Sequence, residues 1–239
     1  MISRQQGQSM TEFAIILPIL LFLILGALQF IFIYQIKTTL NYATFEATRA
    51  GSLENAQIDA VQNGFSRAMA AYFTRPADDT DIEKSAAVVR ARELVRQQIE
   101  DGLVRFERIN PTKNSFDTFG EDVGGGMIEI PNSLLIFRDA RPTDNRGLSI
   151  QDVNLLKIRI TYCVDLIVPF ANRIIETAAK GFTDSPDPGD SLTCENCDDF
   201  EAQCMDPDDS TRITIVSHAI IRMQSPAQTC PNCFANTEY

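Results

Sequence analysis

A chain of 239 residues, 44% apolar and 22% charged, can build one or two packed domains, and its 15 Phe argue against wholesale disorder. A net charge of −11 at neutral pH excludes a general nucleic-acid binder, which needs a basic face to neutralise phosphates. A single His excludes a His-rich metal centre, while six Cys leave disulfides or a thiolate zinc site open.

The averages conceal three regions. Residues 1–37 carry only Arg4, Glu12 and Lys37 as charged side chains, whereas residues 181–239 carry eleven acidic and two basic ones and five of the six Cys. From Phe13 to Tyr34 there are 22 residues without a charge. At 1.5 Å rise per residue that run is long enough to cross a hydrocarbon core of about 30 Å. It is too long for the apolar part of a secretory signal, and the QIKTTLNYAT that follows has no good A-x-A cleavage site, so it reads as a membrane anchor. Pro18 and Gly26 are tolerated in such a helix. Arg4 and the amino terminus favour a cytoplasmic start and Lys37 weakens that bias, but cysteines belong in an oxidising space such as the periplasm. The expected orientation is N-in, C-out.

Just before the anchor stand Arg4-Gln5-Gln6-Gly7, then Gln8-Ser9-Met10-Thr11-Glu12 against Phe13. Burying an unpaired charge in a membrane costs several kcal/mol, so Glu12 either snorkels to the interface or is paired. Alone, it reads as an interfacial Glu on an ordinary signal-anchor helix. Gly7, a carboxylate on the fifth residue after it and an uninterrupted apolar helix together resemble the processing signal of type IV pilins and their relatives. That resemblance implies a prepilin peptidase cutting between Gly7 and Gln8 on the cytoplasmic side. It also implies that Glu12 sets filament register beside the new α-amino group of a neighbouring subunit, where pairing makes a buried carboxylate tolerable. Gln8 stands where type IVa pilins and type II pseudopilins commonly have Phe, which points elsewhere in the superfamily.

Beyond the anchor, Tyr34–Arg49 contains no helix breaker, so the helix is expected to run on to about Ala50-Gly51, with Ala43, Ala47 and Ala50 as a small-residue face for close packing. A second helix presents Ile58, Val61, Phe65, Ala68, Met69 and Tyr72 on one side and ends before Arg75-Pro76. A third runs from about Asp81 to Glu100, with Ile82, Ala86, Val89 and Val95 as its apolar side and Gly102 as a stop. These faces read as domain core or bundle packing. Short strands are then expected at Leu103–Ile109, Met127–Ile130 and Leu134–Arg138, between Gly- and Asp-rich loops that include Gly124-Gly125-Gly126. Asp152–Tyr162 alternates, with Leu156, Ile158, Ile160 and Tyr162 on one face and Lys157 and Arg159 on the other. Arg212–Met223 alternates with Ile213, Ile215, Ala219, Ile221 and Met223 on one side, which leaves His218 as a partly buried strand residue. Ile167, Phe170, Ala171, Ile174, Ile175 and Ala178 form a helical face between them, closed by Lys180-Gly181.

The GQSMTEF start and the Ala-rich NYATFEATRAG resemble the TadE-like family, minor pilins or pseudopilins of the tight-adherence (Flp, type IVc) pilus system. FERINPTKNSF, IPNSLLIFR, RITYCVDLIVPFANRII and AIIRMQSP are short segments similar to longer members. The acidic, Cys-rich stretch from Asp184 to Asp209 departs from a minimal subunit of that family.

Cys194-x-x-Cys197 and Cys230-x-x-Cys233, with Cys163 and Cys204, admit three readings. Two knuckles could present four thiolates to one zinc ion, but their separation is long, the count is six and the expected compartment oxidises thiols, so three disulfides are favoured. Six Cys allow 15 pairings and none is legible, although Cys163, directly after a strand, suits a link from the sheet to the acidic loop or tail. A thiol-redox site needs a helix N-terminus in a βαβ setting that neither unit has. The ten acidic residues of Asp184–Asp209 read as a solvated loop, with Asp206, Asp208 and Asp209 able to hold an adventitious Ca2+. No nucleophile elbow, phosphate loop or paired catalytic carboxylates are present.

The expected fold is α+β: a leader (1–7), a membrane and pilin helix (8–55), and a helix-rich periplasmic domain with a small antiparallel sheet and disulfide-linked loops (56–239), acidic and Cys-rich over 184–239. The resemblance implies a non-enzymatic, single-pass inner-membrane subunit of a tight-adherence pilus, without a cofactor, in or at the tip of the filament. Its implied partners are prepilin peptidase, other pilins and the assembly machinery. The alternative is a membrane-anchored periplasmic binding module outside any filament, with a metal in its Cys and acid region.

Overall fold

The computed structural model describes residues 8–74, 81–142, 144, 146–167, 204 and 212–229. Helix α1 (Gln8–Leu53) is continuous, with Pro18 inside it, and is followed by α2 (Ile58–Phe73) and α3 (Asp81–Glu100). Then come β1 (Val104–Asn110), α4 (Lys113–Phe119), β2 (Glu121–Gly124), β3 (Met127–Ile130), the short helix α5 (Ile150–Val153), β4 (Leu155–Asp165), β5 (Arg212–Arg222) and β6 (Ala227–Gln228). The chain divides into two compact units, Met1–Ile36 with Cys163–Thr214, and Lys37–Tyr162 with Ile215–Tyr239.

In the second unit the helices form as their periodicity dictates. On α1 the buried residues Leu40, Ala43, Thr44, Ala47, Thr48 and Gly51 recur every three or four positions. The two threonines on this face are satisfied locally, Thr44 donating to the Leu40 carbonyl and Thr48 to the Thr44 carbonyl, both at 2.7 Å. The small-residue face expected around Ala43, Ala47 and Ala50 receives α2 at Gly64. A Cβ on Gly64 would lie 2.9 Å from the Ala50 Cβ and 3.0 Å from the Ala47 Cα. One turn further on α1, a Cβ on Gly51 would meet Val61 of α2 at 2.7 Å and Leu156 of β4 at 3.2 Å. On α2, Val61, Phe65, Ala68 and Met69 are buried, as the pattern predicts, and Phe65 meets Phe106 edge-on at 5.2 Å.

On α3 the buried stripe is Ala91 and Val95, with Ala87 half-buried, whereas Val89 is 67% exposed. The expected face is therefore rotated. Positions 87, 91 and 95 are the ones that repeat every four residues, and α3 is held to its neighbours by polar contacts: Arg96 donates to Asn63 at 3.2 Å and the Tyr162 hydroxyl to Gln98 at 2.9 Å.

β4 lies between β1 and β5 in a three-stranded sheet, and β1 pairs antiparallel with β4, Phe106 opposite Ile160 and Glu107 opposite Arg159. Leu156, Ile158, Ile160 and Tyr162 are buried on one face, as expected. The other face is also largely closed: Glu107, 7% exposed, accepts ion pairs from Arg105 at 3.1 Å and Arg159 at 3.4 Å. Buried Arg108 stacks over Phe116 of α4 at 5.2 Å, and desolvation lowers its pKa to about 10, which still leaves it cationic at neutral pH. A second antiparallel sheet has the order β2-β3-β6. Its hairpin turns at Gly124, Gly125 and Gly126, all with positive φ, so that loop is a built turn that only glycine adopts without strain.

Three expectations are corrected. Leu134–Arg138 is not a strand: Leu134 has φ 55, Leu135–Phe137 is a 3-10 turn, and the Gln151 amide donates to the Leu135 and Arg138 carbonyls, taking the groups a ladder would use. The strand expected from Asp152 begins at Leu155, because Ser149 and Asp152 close a capping box that starts α5. His218 is exposed, since Ile213, Ile215 and Ser217 occupy the inward positions of β5. The helix expected over 167–178 lies outside the described residues beyond Ile167.

Two outcomes test this packing. Gly64→Leu forces a side chain into the α1–α2 approach and should destabilise the protein by about 1–3 kcal/mol in denaturant titration. Hydrogen bonds from the Ser149 hydroxyl and backbone hold the Asp152 carboxyl below its usual pKa, so the stabilisation is present above the ordinary Asp range and is lost as pH falls through the lowered value. Ser149→Ala should therefore cost about 1 kcal/mol at neutral pH and progressively less on acidification.

Candidate functional site

The residues on which a functional reading depends lie along α1 and at the base of β4. Gln8 is the first residue of α1; Gly7 and the rest of 1–7 lie outside the described residues. Glu12 stands one turn into the helix and is exposed. From there the helix surface is apolar and largely uncovered: Phe13 is 63% exposed, Leu23 63%, Phe30 63% and Tyr34 71%. Among the described residues this is the one helix long and apolar enough to cross a membrane. Its surface suits lipid over most of the run from Phe13. Gln29 is an exception, buried to 1% exposure between exposed Leu28 and Phe30. It is the one amide side chain in that run, so its polarity is legible in the sequence although its burial is not.

Where α1 leaves the apolar run, the character of the surface changes within one turn. Ile36 is 5% exposed and Leu40 fully buried, while the Lys37 ammonium donates to the Val216 carbonyl of β5. One turn on, the Ser217 hydroxyl donates to the Asn41 side-chain oxygen at 2.8 Å. Read from sequence, Lys37 is only a charge on a membrane flank. In the fold it joins the outgoing helix to the middle of a strand, at a residue 179 positions away. No local pattern could reveal that pairing, because its acceptor is a backbone carbonyl. At the far end of α1 the link is repeated: the backbone amides of Gln224 and Ser225 donate to the Ser52 carbonyl at 2.9 and 3.1 Å. The helix is thus fastened to β5 and its outgoing loop at both ends of its packed segment.

Cys163, at the end of the buried stretch of β4, is joined to Cys204 by a disulfide that closes a loop spanning 41 positions. Both cysteines are buried, at 5% and 2% exposure. Beside the bridge Arg212, the first residue of β5, pairs with Asp165 at 2.6 Å. The expectation that Cys163 links the sheet to the acidic loop is met in that partner. Cys194, Cys197, Cys230 and Cys233 lie outside the described residues, as does the acidic stretch from Asp184 to Asp209 apart from Cys204. Among the described residues no group of His, Cys, Asp and Glu is arranged to hold a metal ion. Asp144, the most buried aspartate described, is engaged by donors: the Asn114 amide, the Ser115 hydroxyl at 3.3 Å and the Arg146 backbone amide at 2.9 Å. It is a loop-fixing group.

The arrangement is therefore an apolar helix fused to a packed α+β body, with a disulfide at the base of the sheet. Replacing Cys163 and Cys204 together by Ser should cost roughly 4 kcal/mol on the chain-entropy scale for a loop of this size, measured by denaturation of the oxidised protein against the variant.

Compared with known proteins, the chain matches the family described as TadE-like protein over residues 7–49. No curated protein and no solved structure matches it.

Proposed function

We propose that this chain is a minor pilin, or pseudopilin, of a tight-adherence type IV pilus, made as a single-pass inner-membrane precursor and matured by prepilin peptidase. The observation that carries the reading is the family match at residues 7–49, which supports association with such a pilus. It covers the expected cleavage position, Glu12, the apolar run, and Ala43 and Ala47 of the alanine face.

The physical roles follow from the positions. Gly7 and Gln8 flank the cut, and removing residues 1–7 takes away Arg4, leaving Glu12 as the only charged side chain between the new α-amino terminus and Lys37. In lipid Glu12 reaches the interface; in a filament core it is tolerated only next to a positive group, which penalises wrong registers. The apolar surface from Phe13 to Tyr34 holds the subunit in the membrane and becomes contact surface when the helix leaves lipid. The remainder of the chain lies on the periplasmic side, where an oxidising environment maintains the Cys163–Cys204 bridge. The chain acts as an assembly subunit and carries out no reaction of its own.

Intact-mass measurement of the membrane-purified protein tests the reading. In cells with the peptidase the chain should begin at Gln8, and a Gly7→Leu variant should retain Met1. A wild-type chain still beginning at Met1 in such cells would overturn the proposal in favour of a membrane-anchored module outside any filament.

A further inference from the structure

Two features of the second unit lie side by side at the end of α1 remote from its apolar run. The first is a knuckle, Leu134–Phe137, on which Leu134 is 71% exposed, Ile136 85% and Phe137 83%. Apolar residues exposed singly are ordinary, but three large ones within four positions mark a contact surface. The knuckle is built before any contact is made. Leu134 keeps a left-handed φ of 55, the Gln151 amide donates to the Leu135 and Arg138 carbonyls at 2.9 and 3.0 Å, and the Arg138 guanidinium donates to the Ser133 carbonyl at 3.2 Å. A leucine stays in that conformation only where its surroundings impose it, and a surface fixed in advance loses little entropy on docking.

The second feature is a groove of roughly 490 Å³ lined by Phe45, Arg49, Ser52 and Leu53 of α1 with Ile220 and Gln224. Its apolar walls are open, Phe45 at 49%, Leu53 at 56% and Ile220 at 57% exposure, and Arg49 already has Glu46 at 3.9 Å, so an uncharged occupant suits it. An apolar cavity of about 150 Å³ holds a benzene ring, which gives this groove room for roughly three large side chains. The knuckle supplies three and carries no charge from Pro131 through Phe137. Knuckle and groove also share one level along α1. Asn132 donates to the Met223 carbonyl at 3.1 Å, and the next residue, Gln224, lines the groove and donates its amide to the Ser52 carbonyl at 2.9 Å. Complementary features adjacent on one body can be exchanged about a two-fold axis, which forms both contacts at once and closes the pair. Arg138 next to the knuckle and Glu54 next to Leu53 of the groove add unlike charges at the rim. We infer that two copies of this chain exchange knuckles, Leu134, Ile136 and Phe137 of each entering the groove formed by Phe45, Leu53 and Ile220 of the other. Copies anchored side by side through their apolar helices form this pair with neither displaced along its axis, so the contact joins subunits within one bilayer.

Photo-cross-linking in cells that make two differently tagged versions of the full chain tests this, with p-benzoylphenylalanine in place of Phe137 in one version and adducts mapped by mass spectrometry. The expected adducts join residue 137 of one version to residues 45–53 or 220–224 of the other. Ile136→Asp on the knuckle and Leu53→Asp in the groove should each reduce their yield at least about tenfold. Ile136 is a side chain that the fold leaves in solvent, so its substitution reads docking and not folding. Adducts within one chain only, adducts to another protein or to lipid in place of the second copy, or a yield indifferent to Ile136→Asp overturn the inference; a yield that falls with Ile136→Asp but not with Leu53→Asp overturns the groove as the receiving site. The yield should stay within about twofold in cells without prepilin peptidase. A requirement for the peptidase would overturn the side-by-side pair, while intact mass of the same sample decides the proposed processing separately.

Discussion

The described part of the second unit depends on one close approach. Backbone of α2 at Gly64 lies against Ala47 and Ala50 of α1, and Gly51 of α1 lies against Val61 and Leu156. Only small side chains permit that separation, and it brings α2 and β4 onto the same stretch of helix. Phe65 then reaches Phe106 across the sheet, and the buried row Leu156, Ile158 and Ile160 is closed over. Small residues in a soluble helix add little apolar area of their own. Their contribution here is to let larger neighbours meet.

A second constraint is that α1 serves two environments. Its first half is exposed and apolar, which suits lipid or other helices; its second half hides a threonine- and alanine-rich face. Threonine tolerates burial on that face because each hydroxyl returns to a carbonyl one turn earlier, so no donor is left unsatisfied. The change of environment falls at Lys37, whose ammonium is taken up by a β5 carbonyl. From Lys37 to Ser52 the helix is fixed to β5 and the loop that follows it through hydrogen bonds and packed side chains, and α1 itself runs unbroken from Gln8 to Leu53, with no loop between its apolar and packed halves.

Charge is handled separately from the helix. On the sheet, buried Glu107 is answered by Arg105 and Arg159, and buried Arg108 is stacked on Phe116, so each buried charge meets an opposite charge or a π face. Such pairs add little net stability but penalise a strand shifted by one residue, which would turn them to the opposite face. The Cys163–Cys204 bridge and the Arg212–Asp165 pair act where β4 ends and β5 begins.

By itself the sequence determined the apolar run, the three helices, the alternating strands β4 and β5, and the small-residue face on α1, because periodicity and the absence of charge are local properties. It did not determine the 3-10 turn at Leu135–Phe137, where an apolar pattern was overruled by the Gln151 amide, nor the rotation of α3 that leaves Val89 in solvent. It left Cys163 with five candidate partners, and only the folded chain brings it to Cys204. The spacing from Gly7 to Glu12, on which the proposed processing rests, was legible because it lies along one segment. The groove lined by Phe45, Arg49 and Leu53 of α1 and by Ile220 of β5 was not, since it exists only where these elements converge from positions far apart in the chain. Short-range order was written in residue type; which surfaces face each other, and which stay open, was decided by long-range packing that no local pattern encodes.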